Sequence, residues 1–419
     1  MFIKNVSLSR FRNFDSLQTE FSPQLNFFLG PNGQGKTNLL EALYLLIKGH
    51  SFRYTQNDSF INHNPQKKEM LEPFNSAVVD NLVGYTDKSQ DSLFKSSNFG
   101  HFLSKALIKA DFCENDLFYK IQLIVENKSK MFSVNQKKVS SNQIQKKFQA
   151  ILFSPESLSF IKESAEFRRE LIDDFLGSIH PKNIDIISDY KKVLKTRNKI
   201  LKENKDGKIE SKSFFMVFDS LNELFIKRAS ILTYERIKAI KEIHNELNDH
   251  MQYISNNGVD IIVDYIASDE SFLNFSLEDI ELKLRERHKT LASAEISTGT
   301  SLIGPHKHDI VFLYNQKDSR FFCSQGQQRA IILSFKMAQI VYHRKTHGWY
   351  PVLMLDDVLS ELDNEKKKRL ISFLEKINTQ IFITATELDD GLNFVFDRET
   401  GLGSRNHKII NISQGKILD

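Results

Sequence analysis

Lys36 and Thr37 end the run G-P-N-G-Q-G-K-T (Gly30–Thr37), whose residue types suit a polyphosphate. Gly30, Gly33 and Gly35 allow the backbone to curl until several N–H groups face one anion. Lys36 adds a point charge for the outer phosphates, and the Thr37 hydroxyl is a ligand for Mg²⁺. Pro31, Asn32, Gln34 and Asn38 complete the candidate phosphate-binding residues. A second set lies far downstream. The run P-V-L-M-L-D-D (351–357) is a buried strand with two acids at its carboxyl end. Asp356 is placed to hold Mg²⁺, and Asp357 to accept a proton from an attacking water. A third set is C-S-Q-G-Q-Q-R (323–329), where Ser324 and Gly326 open an apolar helix, again an anion-binding geometry.

These residues need scaffolding. Residues 21–29 read as an apolar strand into the glycine loop, and Asn38 to Lys48 as the helix behind it, whose dipole supports the phosphates. Residues 2–14 alternate as a strand with basic residues on one side, and 105–134 read as further strands with a turn at Asn135-Gln136. Ile151-Leu152-Phe153 is expected to extend that sheet. From 156 to about 295 helical periodicity takes over, with helices expected over Asn183–Lys202 and Phe214–Leu247. Strands at 351–357 and 380–386 bracket a charged helix at 364–376. The expected division is an α/β P-loop head, 1–155 with 300–419, a polar insertion near 62–104, and an all-α lobe over 156–299. No heptad run long enough for a coiled coil is present.

The chain has 419 residues, 40% hydrophobic and 26% charged, which is ordinary for a globular protein of more than one domain. A net charge of +4 permits nucleic-acid binding without demanding it. Two distant cysteines offer neither a disulfide framework nor a metal knuckle. The N-terminus lacks a signal-like apolar stretch, and no run approaches the ~18 apolar residues of a membrane span. A cytoplasmic, membrane-free protein is expected.

The run L-D-D-V-L-S-E-L-D resembles the Walker B and D-loop of ABC-type ATPases, with Asp357 in place of their Glu, and S-Q-G-Q resembles their signature. Lys36 and Ser324 are 288 residues apart (324 − 36), far more than in a transporter subunit. Together with L-S-R-F-R-N-F (8–14), G-H-S-F-R (49–53), F-S-P-E-S-L (153–158), R-R-E-L-I-D (168–173), G-P-H-K-H-D (304–309) and I-T-A-T, these motifs resemble the RecF family of bacterial recombination-mediator ATPases. The 62–104 stretch departs from the family. The ABC switch histidine is replaced by a strand ending in Thr384 and Thr386, and no clear Q-loop Gln lies near Phe153–Glu156.

The resemblance implies an ABC-type head that binds ATP and Mg²⁺, with Thr37 and Asp356 on the metal and Arg12 and Asn13 beside the nucleotide. It implies a homodimer formed on ATP binding, in which Ser324, Gly326, Gln327, Ser360 and Asp363 of one copy face the nucleotide of the other, and a weak, DNA-stimulated ATPase. It further implies duplex and gapped DNA as ligand, RecO- and RecR-type partners, an indirect link to RecA, and roles in DNA replication, repair and the SOS response. Lys191, Lys192, Lys195, Arg197 and Lys199 are candidate DNA contacts, although a solvated helix face would look the same. A transporter ATPase subunit and an SMC-like DNA-tethering head remain as alternatives. The long helical insert argues against the first and the missing coiled coil against the second.

Overall fold

The structure is a computed structural model that describes residues 1–53, 55–63, 105–114, 117–255, 258–387 and 406–418. The expected 62–104 insertion lies outside the described residues from 64 onward. The described chain forms two compact units, 1–152 with 351–359 and 377–419, and 153–350 with 360–376. Residues 300–350, expected with the head, therefore belong to the helical unit.

The first unit begins with β1 (Phe2–Phe11) and β2 (Phe14–Glu20), antiparallel through Phe11↔Phe14, then β3 (Leu25–Leu29) and α1 (Lys36–Lys48). β4 (Lys105–Glu114), β5 (Leu117–Glu126), β6 (Lys130–Val134) and β7 (Lys137–Val139) extend an antiparallel sheet in the order β2-β1-β4-β5-β6-β7. Its strands alternate because one face packs inward: Ile3, Val6, Leu8, Ala106, Ile108 and Leu123 are buried. α1 packs in the same core, with Leu39, Leu43 and Leu46 fully buried. Each such leucine contributes roughly 2 kcal/mol of burial. A helix apolar on nearly every side has to be enclosed in this way. α2 (Ser141–Lys147), held by a Ser140–Gln143 capping box, leads into β8 (Ala150–Phe153).

β8 does not continue the antiparallel sheet. It lies at the edge of a second sheet, beside β13 (Val352–Asp356). Its A-I-L-F run is buried throughout, as suits a strand in a sheet covered on both faces.

The second unit is mainly helical. It contains α3 (Pro155–Leu158), α4 (Ala165–Ile179), α5 (Pro181–Lys205), α6 (Ser211–Ser255) and α7 (Leu277–Thr298). It is not all-α. β9 (Ile261–Ala267) and β10 (Glu270–Ser271) lie between α6 and α7, and β9 pairs with β11 (Asp309–Tyr314), followed by β12 (Lys317–Asp318). The strand is written in I-I-V-D-Y-I-A, where every second residue is buried. α8 (Ser319–Phe322), α9 (Gln325–His347) and α10 (Asn364–Glu375) complete the unit. Buried or half-buried ion pairs bind it internally, among them Arg168–Asp309, Arg197–Glu295 and Arg236–Asp173.

The remaining strands return to the first unit. β3, β14 (Ile381–Ala385) and β13 are parallel neighbours, and β15 (His407–Ser413) lies parallel on the other side of β3, with β16 (Lys416–Leu418) at the edge. The register Thr384↔Asp356 and Thr384↔Phe28 brings the carboxyl ends of β13, β14 and β3 into line. Ligands of parallel sheets bind at those ends.

Candidate nucleotide site and signature surface

The glycine loop joins β3 to α1. Gly30 has φ 148°, and a Cβ there would lie 2.2 Å from the Ile412 carbonyl oxygen of β15. Gly35, at φ 118°, is the N-cap of α1. Both positions reject a side chain for reasons of backbone and neighbour alike. The Gln34 carbonyl accepts from Asn13 Nδ2 at 2.9 Å and from the Gly415 N–H at 3.0 Å, and the Gln34 side chain accepts from the Gln414 N–H at 2.6 Å. The loop is thus pinned by the turn after β1 and by the β15–β16 turn. Lys36, only 3% exposed, donates to the Gly30 and Pro31 carbonyls at 2.6 and 3.1 Å. Its ammonium lies within the curl of the loop.

Thr37 follows on the first turn of α1, and its hydroxyl donates to Asp356 Oδ1 at 2.9 Å. Thr384, next to last in β14, donates to the same oxygen at 2.9 Å and accepts from the Asp357 N–H at 2.9 Å. Asp356 is 4% exposed, and burial pushes its carboxyl up to about 6, opposed by the hydroxyls of Thr37 and Thr384. A divalent cation would favour the ionised form. Asp357 takes a left-handed conformation, φ 48°, which turns the chain out of the strand directly after Asp356.

In the second unit, Ser324 caps α9 through a reciprocal box. Its Oγ accepts from the Gln327 N–H at 3.3 Å, and its own N–H donates to Gln327 Oε1 at 2.8 Å. Ser324, Gln325 and Gly326 are exposed. Gly326 has no positive φ, and a Cβ there would meet nothing within 4 Å. The chain's own packing therefore does not require glycine at this position. Phe321 and Phe322, immediately before, are 76% and 66% exposed. Asp363 caps α10 by accepting from the Lys366 N–H at 2.9 Å. Hydrogen bonds from the Lys366 ammonium and backbone hold its carboxyl below the usual range.

Residues 2–393 match the family described as RecF/RecN/SMC N terminal domain. The DNA replication and repair protein RecF of Lactobacillus gasseri is 34% identical over 419 residues, covering 100% of this chain and 99% of its own. That of Ligilactobacillus salivarius is 30% identical over 421 residues, covering 100% and 98%. This chain belongs to the RecF family. A solved structure described as the recombination mediator protein RecF-ATPrS in the RecFOR pathway superposes with a TM-score of 0.75 at 25% identity, covering 99% of this chain and 97% of that one. An Smc head bound to the C-winged helix domain of ScpA shares the fold, with a TM-score of 0.51 at 14% identity over 100% and 97% of the two chains.

The RecF-like motifs now acquire partners. Arg12, from L-S-R-F-R-N-F, makes a two-pronged pair with the fully buried Glu41 of α1, at 2.9 and 2.7 Å. Ser51, from G-H-S-F-R, donates to the same carboxylate at 2.5 Å, and Arg53 donates to Asn38 Oδ1 at 2.8 Å. Asn38 Nδ2 in turn donates to Asn13 Oδ1 at 2.8 Å. Asn13 thus lies against the glycine loop, while Arg12 is held by α1 beside it. In the other unit, R-R-E-L-I-D and G-P-H-K-H-D face each other: Arg168 grips Asp309 at 2.9 Å twice, and Arg169 donates to the His308 carbonyl at 2.6 Å.

Sequence reasoning overlooked Glu41, Gln414, Gly415, Arg329 and Glu361. Glu41 had a signal, being the sole acid in an otherwise apolar helix. Arg329 and Glu361 lie within the signature and D-loop runs, but nothing local joins them; Gln414 and Gly415 had no signal, because each acts through a distant partner.

The DNA candidates separate. Lys191, Lys192, Lys195 and Lys199 share the exposed face of α5. Lys192 pairs with Asp189 and Lys199 with Glu203. Arg197 does not join them. It lies on the inward stripe with Tyr190 and Leu201, 0% exposed, bound to Glu295, Asn222 and Ser301. A fully buried guanidinium engaged by a carboxylate is not a phosphate contact, and the expectation for Arg197 is corrected.

Proposed function

We propose that this chain binds ATP with Mg²⁺, closes with a second copy over the nucleotide, separates from it on slow hydrolysis, and binds duplex or gapped DNA during recombinational repair. The observation that carries the reading is the Thr37 hydroxyl 2.9 Å from the Asp356 carboxylate, at the foot of the glycine loop. Two hard oxygen donors suit Mg²⁺, which takes one or two protein ligands and fills its sphere with phosphates and water. Among the described residues no cluster of three metal-ligating side chains exists, so an all-protein cage is not the alternative. Bound there, Mg²⁺ would neutralise charge between the outer phosphates.

The chain's own groups supply the rest. The loop N–H groups and Lys36 would bind the phosphates once the ammonium exchanges the Gly30 and Pro31 carbonyls for them. Asp357 would orient a water and accept its proton, with Thr384 fixing the Asp357 backbone. The exposed Ser324 cap, with Gly326 open beside it, would approach the other copy's γ-phosphate, and Asp363 would lie across the same interface. A glycine that its own chain does not need fits close approach by a partner. DNA contact would fall to Lys191, Lys192, Lys195 and Lys199 through phosphates, sequence-tolerant and weakened by salt. RecO- and RecR-type partners, and through them loading of a RecA-type recombinase, belong to the same proposal, and the RecFOR pathway named for the solved relative supports it.

Sedimentation of Asp357→Asn at saturating ATP tests the core of this reading. A dimer that dissociates without nucleotide is expected, with turnover down roughly 10²–10⁴-fold. A monomer under those conditions contradicts it.

A further inference from the structure

The signature helix and the D-loop turn are joined by one side chain. Arg329 lies one turn into α9, past the Ser324 cap. Its Nη1 donates to the Glu361 carbonyl at 2.8 Å, and its Nη2 meets the Glu361 carboxylate at 2.6 Å. Glu361 closes the short 3₁₀ turn Val358–Glu361 and lies two residues before Asp363, the cap of α10. The far side of that turn is anchored separately, because Arg369 of α10 donates to the Tyr253 carbonyl and Tyr253 Oη donates back to the Arg369 carbonyl at 3.0 Å. The D-loop is therefore held by α6 through α10 and by the signature helix through Arg329.

Stability does not account for this bridge. Both side chains are about one-third exposed, 33% and 34%. Ion pairs that wet contribute little, and this unit already holds Arg168–Asp309, Arg197–Glu295 and Arg236–Asp173 in drier settings. What the bridge does is fix distance. A fork with one prong on main chain and one on side chain sets both the position and the rotation of the turn relative to the helix. The two ends so fixed, Ser324 and Asp363, are the two groups that the composite-site reading sends to the partner's nucleotide.

We propose that Arg329 is a positioning residue that couples the Ser324 cap to the Asp363 turn, so that both reach the second copy's ATP as one body. The inference rests on the composite-site reading and adds to it that signature and D-loop cannot engage independently. An error of about 1 Å at either group is enough to slow chemistry severely.

The test is steady-state ATPase with sedimentation and thermal melting on the full chain. Arg329→Ala is expected to lower kcat about tenfold while KM for ATP changes less than about twofold, because the cradle of the first unit is untouched. Melting should stay within a few degrees of wild type. Glu361→Ala keeps the carbonyl prong and should lose less, about threefold. Arg329→Lys should fall between them, and Arg329→Ala with Glu361→Ala should equal Arg329→Ala alone. Ser324→Arg and Asp363→Ala are the reference variants. If they abolish turnover while Arg329→Ala and Glu361→Ala keep wild-type kcat, the coupling is overturned. If the reference variants themselves turn over normally, the composite site falls and the coupling with it.

Discussion

The two units present their functional residues in opposite ways. In the first, Lys36 and Asp356 are nearly buried and each is engaged by neighbours of its own unit, Lys36 by loop carbonyls and Asp356 by Thr37 and Thr384. In the second, Ser324, Gly326 and Asp363 lie at the surface, with Ser324 and Asp363 serving as helix caps. A buried polar cluster that satisfies itself is preorganised for a small ligand. Exposed helix caps, one of them preceded by the exposed Phe321 and Phe322, suit the docking partner that the proposed reading calls for. On the reading proposed above, the contrast separates a phosphate cradle held within one chain from a surface that a second copy would meet.

The largest effect should come from the interior of the second unit. Burial alone would push the Glu295 carboxyl up, yet hydrogen bonds from His288 and Arg197 hold it at about 2. Arg197→Ala strands that carboxylate and should cost about 3–5 kcal/mol in denaturant melts. Nucleotide binding by the folded fraction should survive. Loss of binding in step with unfolding would be expected; loss of binding without unfolding would blur the division between units.

Gly30→Ala comes next. The backbone clash with Ile412 and the positive φ should cost about 1–3 kcal/mol and abolish ATP binding together, measured by melting and titration. Wild-type ATP affinity in this variant would break the account of the cradle.

Acid should act mainly on the second unit. Burial pushes His306 down to about 4 and His308 to about 3, with Arg169, Arg236, Arg197 and Lys307 adding repulsion. Tyr190 and Tyr265 hydrogen-bond to their neutral rings. The unfolded chain protonates both near 6.5, so stability is full above that pH and falls as pH drops toward 4. The slope should be about 2 kcal/mol per pH unit in urea melts between pH 6.5 and 5, since each histidine takes up close to one proton on unfolding. A flat profile there, or one that His306→Gln leaves unchanged, would contradict it.

The smallest change in stability belongs to Gly326→Ala. A Cβ meets nothing, and alanine favours the first helical turn by up to about 1 kcal/mol. Melting should hold or rise slightly while ATP turnover drops. Normal turnover would remove the reason for calling that surface half of a site.

Much of this was legible because the cradle is written in local chemistry. Gly30, Gly35, Lys36, Thr37 and Asp356 announce themselves through motif and the strands that carry them, and the Ser324 box is complete within four residues. Other features depend on partners remote in sequence. β9 hides between two long helices, and only its period-two pattern, too short to outweigh them, marks it as strand. β8 reads equally well into either sheet, and burial on both faces decides. Arg197 was grouped with lysines by charge, although Tyr190 and Leu201 on the same stripe signalled the inward face. Arg329 and Glu361 are 32 residues apart (361 − 329), and nothing local links them.

The central claim is that each ATP site is built from two copies of this chain. Mixing two inactive variants tests it most directly. Lys36→Ala spoils the cradle and Ser324→Arg spoils the signature. In a symmetric dimer, only a mixed pair contains one cradle and one signature that are both intact. Equal mixing should restore roughly a quarter of wild-type ATPase, since about half the dimers are mixed and each carries one good site of two. No recovery on mixing, or full activity of Ser324→Arg alone, would contradict it.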